Sequence, residues 1–91
     1  MYNKKYALIT GASGLLGPEH ATALAEIGFN LILIDINQKQ LKEKSKHLKK
    51  KFYKQNILEF VCDITSEKQV KNLLKKLTKK KIFVNILVNN A

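Results

Sequence analysis

Ninety-one residues suffice for one small domain or for part of a larger one, and a chain of this size buries only a modest core. An apolar fraction of 45% excludes a disordered chain, and a single cysteine, Cys62, excludes a disulfide framework. The formal charge of +10 comes from 17 lysines and no arginine, so the side chain that grips guanine and phosphate with a planar fork is missing. Aromatic residues are scarce among the lysines, with only Phe52 and Tyr53 set between Lys51 and Lys54, and the excess is read as a solvated surface without a nucleic-acid partner. His20 and His47 are far apart in sequence, and with Cys62 they form no metal-ligand set. Lys4 and Lys5 precede an apolar run, as in an export signal, but Thr10, Gly11 and Ser13 break it at once. No stretch reaches the roughly 18 apolar residues of a membrane span. The expectation is a soluble, cytoplasmic chain with no membrane partner.

Along the chain, short β-branched runs alternate with longer helical stretches. Lys5–Thr10 reads as a buried strand ended by a glycine-rich turn. Leu15–Ile27 reads as a helix with Ala21, Leu24 and Ala25 on one side, Pro18 in its first turn where a missing N–H is harmless, and Gly28 closing it. Asn30–Ile36 is a continuous apolar strand of the kind covered on both faces. Asn37 caps a second helix with Leu41, Leu48 and Phe52 on a narrow apolar stripe. Ile57–Cys62 is a third strand. Thr65 or Ser66 starts a third helix carrying Val70, Leu73, Leu74 and Leu77 at helical spacing, with Glu67 in its first turn and lysines in its last. Ile82–Val88 is a fourth strand. The order βαβαβαβ predicts an α/β chain, a parallel sheet with right-handed crossovers and helices on both faces.

Thr10-Gly-Ala-Ser-Gly-Leu-Leu-Gly17 lies where the first strand turns into the first helix. Gly11 permits the tight turn, Gly14 lets the backbone approach a pyrophosphate, and Gly17 allows the helix to pack closely on the strand. The free N–H groups of the helix start then face an anion. Asp35 ends the second strand about 20 residues beyond the glycines, where a carboxylate accepts hydrogen bonds from an adenosine ribose and repels a 2′-phosphate. No lysine or arginine lies in the glycine loop or directly after Asp35, so NAD is favoured over NADP. Asp63, at the end of the third strand, accepts a hydrogen bond from the adenine amino group or simply caps the following helix.

The glycine string, the Asp63-Ile-Thr65 segment and the closing Leu87-Val-Asn-Asn-Ala91 together resemble the short-chain dehydrogenase/reductase superfamily, over essentially the whole chain. The resemblance implies a Rossmann-type doubly wound parallel sheet, represented by its N-terminal portion of four strands and three helices. It implies that Gly11, Ser13, Gly14, Leu16 and Gly17 line the pyrophosphate and ribose site and that Asp35 holds the ribose. Asp63 and Ile64 would contact the adenine, Asn89 would tie the central strands together, and Asn90 and Ala91 would lie against the adenosine side. The spacing of the later glycines, with Leu15 where the main branch has glycine, is closer to the extended branch that includes nucleotide-sugar epimerases and dehydratases. The Asn-Asn-Ala ending points to the main branch and outweighs it.

Members of this superfamily use a serine and a tyrosine with a lysine four residues on, beyond the fourth strand. Tyr2, Tyr6 and Tyr53 are followed four residues later by Tyr6, Thr10 and Ile57, so the catalytic set is absent from these 91 residues. The resemblance therefore implies residues 1–91 of a partial dinucleotide-binding domain, inactive alone. Its parent would be an NAD-dependent oxidoreductase transferring hydride between NAD(H) and an alcohol or carbonyl small molecule, as a homo-oligomer. A free-standing, non-catalytic dinucleotide-binding module is the alternative from another class.

Overall fold

A computed structural model describes residues 4–90 as seven alternating elements: β1 (Tyr6–Thr10), α1 (Gly17–Glu26), β2 (Asn30–Asp35), α2 (Gln38–Lys51), β3 (Ile57–Val61), α3 (Glu67–Lys79) and β4 (Val84–Asn89). The strands form one parallel sheet in the order β3-β2-β1-β4. Because side chains alternate across a strand, each face collects its own core. Ala7, Ile9, Leu31 and Leu33 meet Ala21 and Ala25 of α1 and Leu41 and Leu48 of α2 on one face. Tyr6, Leu8, Ile32 and Ile34 meet Leu73 and Leu77 of α3 on the other. The chain thus winds outward from β1 to β3 on one face and returns across the other to β4. Its reversal falls between β1 and β4, and in such sheets ligands bind beyond the carboxyl ends of the strands at that point. The alternation predicts the parallel sheet with helices on both faces, and the Rossmann-type doubly wound arrangement is the one the resemblance implies. β1 and all of β2 but Asp35 are buried, while β3 and β4 form the edges.

Helix ends depart from the sequence reading for local reasons. The first helix starts at Gly17 rather than Leu15, because Gly11 to Leu16 are consumed by the turn, with Leu16 as the N-cap residue lacking a side-chain cap. It ends in a Schellman arrangement: Gly28 at φ +100° donates to Ala25 O, and Phe29 donates to Leu24 O. The same device ends α3, where Lys81 at φ +58° donates to Thr78 O and Ile82 to Leu77 O. Ile82 therefore belongs to the helix terminator, and the fourth strand begins at Val84 instead of Ile82. Leu74 is half exposed, because the α3 seam follows Val70, Leu73 and Leu77 and leaves Leu74 to one side. Asn37 and Ser66 cap α2 and α3 by accepting from the Gln40 and Gln69 amides.

Neutral amide side chains lace together the amino ends of the strands. Asn85 Oδ1 accepts from the Tyr6 amide at 2.9 Å, where a one-residue slip interrupts the β1–β4 register. Asn30 Oδ1 accepts from the Asn56 amide at 2.9 Å, and Asn56 Nδ2 donates to the Tyr6 hydroxyl at 3.0 Å. Gln55 Nε2 donates to the carbonyls of Ala25 and Phe29.

Candidate functional site

The turn from β1 into α1 is built by close backbone approach. Gly11 sits at φ +61°, where a side chain is disfavoured. A Cβ on Gly17 would lie 2.5 Å from Ala12 O, and against Gly11 O as well. The helix is thus seated directly on the turn that precedes it. Close packing at Gly17 was expected, but its partner is this turn rather than the strand. A Cβ on Gly14 would meet Gly11 O at 3.2 Å, and its other side is open. Ala12 donates to Ile34 O at 3.0 Å and Gly14 to Gly11 O at 3.0 Å. Among the described residues the amides of Leu15 and Leu16 have no acceptor, and they precede the positive end of α1. Free amides so arranged at a helix start can accept an anion.

Asp35, at the end of β2, divides its carboxylate between two loops. Oδ2 accepts from the Ser13 amide of the glycine turn and Oδ1 from the Asn37 amide, both at 2.9 Å. Partial burial pushes its pKa up, but hydrogen bonding from the Asn37 amide, the Ser13 hydroxyl and amide and the Ile36 amide outweighs it, so the group stays below the usual value. Asp63 follows β3. Its Oδ1 accepts from the Thr65 hydroxyl at 2.6 Å and the Thr65 amide at 2.9 Å, which hold its pKa low against a smaller effect of burial. The helix cap is Ser66, so Asp63 caps the Asp63–Thr65 turn and not α3. Gln69 Oε1 reaches back to accept from the Asp63 amide at 2.8 Å.

Gly11, Asp35, Asp63 and Ile64 come together around one cleft of about 290 Å³, with Ile34, Ile36, Cys62 and Thr65 completing its walls. Ser13, Gly14, Leu16 and Gly17 stand on the turn beside it. Ile36 and Ile64 are exposed apolar side chains at its rim. Ile36 escapes a motif-based reading, since its only signal is its place directly after the strand-end carboxylate. Cys62 is buried, and burial first, then the Asp63 charge, pushes its thiol up, so it stays protonated. A wider groove of about 630 Å³ runs between α1 and α2, lined by Glu19, Glu26, Glu43, Lys44 and His47 among others. It gathers charges of both signs and no strand end.

On the β4 side, the Thr10 hydroxyl joins the strands. It donates to Asn89 Oδ1 at 3.1 Å and accepts from the Asn90 amide at 3.0 Å, while Asn90 Nδ2 donates to Gly11 O at 3.3 Å. Asn89 thus bridges β1 and β4 as expected, and Asn90 braces the glycine turn. Thr10, singled out by no motif role, is the hub of this contact. Ala91 lies outside the described residues. Among them, no helix is long and apolar enough to cross a membrane, and no three His, Cys, Asp or Glu side chains group as a metal site.

Four parallel strands wound in two directions, with a glycine turn at the head of the first helix and a carboxylate ending the second strand, define a Rossmann-type α/β chain. The family model for short chain dehydrogenases matches residues 5–91, and the chain belongs to that family. It is 37% identical over 87 residues to a diacetyl reductase [(S)-acetoin forming] of Staphylococcus epidermidis, covering 96% of this chain and 33% of that protein. It is 34% identical over 89 residues to the 15-hydroxyprostaglandin dehydrogenase [NAD(+)] of Macaca fascicularis, covering 98% and 34%. An NAD+-bound xylitol dehydrogenase superposes with a TM-score of 0.87 at 32% identity, over 99% of this chain and 34% of that one. The L-sorbose reductase of Gluconobacter frateurii, complexed with NADPH and L-sorbose, superposes with a TM-score of 0.87 at 30% identity, over 98% and 34%. The chain spans about a third of the length of these relatives.

Proposed function

We propose that the crevice at the carboxyl ends of β1–β4 binds a nicotinamide dinucleotide, and that residues 1–91 are the dinucleotide-binding part of an oxidoreductase moving hydride between NAD(H) and an alcohol or carbonyl compound. The observation that carries the reading is the Asp35 carboxylate lining a cleft shared with Gly11 of an anion-ready turn. In this reading the Leu15, Leu16 and Gly17 amides take the pyrophosphate, with Gly14 leaving room for it and Ser13 beside the ribose. Asp35 holds the adenosine ribose, and Asp63 and Ile64 contact the adenine, with Ile36 across from them. Asn90 and Ala91 close the adenosine side. The nicotinamide, when bound, supplies the hydride chemistry. The described residues contribute binding and orientation.

The same carboxylate selects the cofactor. Asp35 is ionised at neutral pH and would stand close to a 2′-phosphate, while no lysine lies in the turn or next to Asp35 to offset the repulsion. NAD is therefore the preferred cofactor. No tyrosine here has a lysine four residues on, so proton transfer at the substrate falls to residues outside these 91, in a cytoplasmic, homo-oligomeric parent enzyme. Isothermal titration of the 91-residue chain with NAD and with NADP tests the reading. NAD is expected to bind about tenfold more tightly or better, one charge-assisted contact being of that order. Equal affinities would remove the ribose assignment, and no binding of either would remove the dinucleotide reading.

A further inference from the structure

We propose that Asp35 is also a positioning residue for the phosphate-binding turn: by holding the Ser13 amide it sets the direction in which the unpaired Leu15 and Leu16 amides face. The inference rests on the dinucleotide reading and goes beyond ribose recognition, because it gives one carboxylate a hold on two parts of the ligand.

Two adjacent hydrogen bonds fasten the turn to β2. One is main chain, Ala12 to Ile34 O at 3.0 Å; the other is the Ser13 amide to Asp35 Oδ2 at 2.9 Å, across 22 residues of sequence. The second is made by a side chain of β2 and is charge-assisted, hence of the stronger kind. On the far side, Asn90 Nδ2 holds Gly11 O at a longer 3.3 Å. Beyond Ser13, the turn closes on itself through Gly14 to Gly11 O, and Leu15 and Leu16 follow with free amides. Asp35 is itself kept from rotating, because Oδ1 is anchored by the Asn37 amide at 2.9 Å. Each carboxylate oxygen has two acceptor sites, so both can hold a backbone N–H and still accept from a ribose hydroxyl.

The inference opposes the simple electrostatic expectation. If Asp35 served the ribose alone, removing its negative charge would leave phosphate binding unchanged or tighten it. If it positions the turn, removing it weakens phosphate binding despite the gain in positive charge.

Nitrogen-15 NMR of the 91-residue chain, titrated with inorganic pyrophosphate and with NAD, separates the two in the parent, Asp35→Leu and Asp35→Ala. In the parent, the Ser13 amide proton is expected to be shifted downfield and to exchange more slowly than those of Leu15 and Leu16. Both variants are expected to lose that protection, to bind pyrophosphate at least about threefold more weakly and NAD about tenfold more weakly. Pyrophosphate affinity that holds or rises while NAD affinity falls overturns the positioning role and leaves the dinucleotide reading intact. Failure of the parent to bind NAD removes both. Should Asp35→Ala not fold, Asp35→Leu, close to Asp in shape but without an acceptor, decides. A Ser13 amide in the parent that exchanges as fast as that of Leu15 overturns the proposal without any variant.

Discussion

Substituting Gly17 by alanine adds one carbon atom at a buried point where every near neighbour is backbone. That carbon would fall 2.5 Å from Ala12 O and 2.6 Å from the Ala12 carbonyl carbon. Restoring even a tight contact of about 3.2 Å requires a relative shift of about 0.7 Å. No rotamer change can supply it. Ala12 is tied to Ile34 O and Gly11 is held by Asn90, so α1 must move as a body. Its fully buried Ala21 and nearly buried Ala25 would then lose contact with Ala7, Ile9, Leu31 and Leu33. Overpacking of this kind costs about 1–3 kcal/mol, and the upper end applies where backbone opposes backbone. Against it stands alanine's advantage over glycine in chain entropy, about 0.5–1 kcal/mol. A net loss of about 2 kcal/mol lowers the melting temperature of a domain this size by about 8–16 °C. Gly28→Ala is the control, because it meets open space and suffers only its positive φ, at about 1 kcal/mol. Circular-dichroism melts should rank the parent above Gly28→Ala, and that above Gly17→Ala. Gly17→Val should fall further and lose NAD binding. A Gly17→Ala melt within about 2 °C of the parent would refute the seating of α1 on the turn.

Asp35→Ala combined with Ile36→Lys should narrow or reverse the preference for NAD over NADP at little cost in folding from position 36, since Ile36 is exposed; titration with both cofactors reads it. Lys81→Gly should raise the stability of the chain by about 0.5–1 kcal/mol in urea unfolding, because the α3 terminator holds Lys81 at φ +58° and glycine adopts that conformation freely. Asp35 and Asp63 both have pKa values below the ordinary 3.8 in the folded chain, so their stabilising contribution is complete above that value and is lost as pH falls through the lower folded values. The melting temperature should therefore begin to fall near pH 4, and Asp35→Asn should flatten that limb. Phe83, Val84 and Leu87 are exposed along and beside β4, so the 91-residue chain should bind the dye ANS and show no NADH oxidation with carbonyl compounds.

The elements were legible because their periods are unlike: β1 and β2 are apolar runs buried on both faces, whereas α2 and α3 are lysine helices with a seam one or two residues wide. Gly28 announced its helix end by being glycine. Lys81 performs the same task in the same conformation without a matching residue type, and so the start of β4 was misplaced. The glycine turn and Asp35 were legible from spacing, but the bond between them was not, since nothing in residues 13 and 35 separately says that an amide of one meets the carboxylate of the other. Asp63 left two readings open, and Ser66 decided the capping half of the question by taking the helix cap itself. Thr10 was hidden because its role needs β4 beside β1, a neighbour 79 residues away.

The two ends of the sheet are fastened by different chemistry. At the amino ends of the strands the latches are the amides of Asn30, Gln55, Asn56 and Asn85, which carry no charge and do not titrate. At the carboxyl ends two of the fastenings are the carboxylates of Asp35 and Asp63. Of these strand-end fastenings, acid therefore acts on one set only. Protonation weakens the side-chain fastening of the glycine turn to β2, leaving the Ala12 bond to Ile34, and that of Thr65 to Asp63, while the opposite rim stays laced. The molecule should splay at the crevice before it unfolds, shedding a bound anion from a sheet still closed along its base.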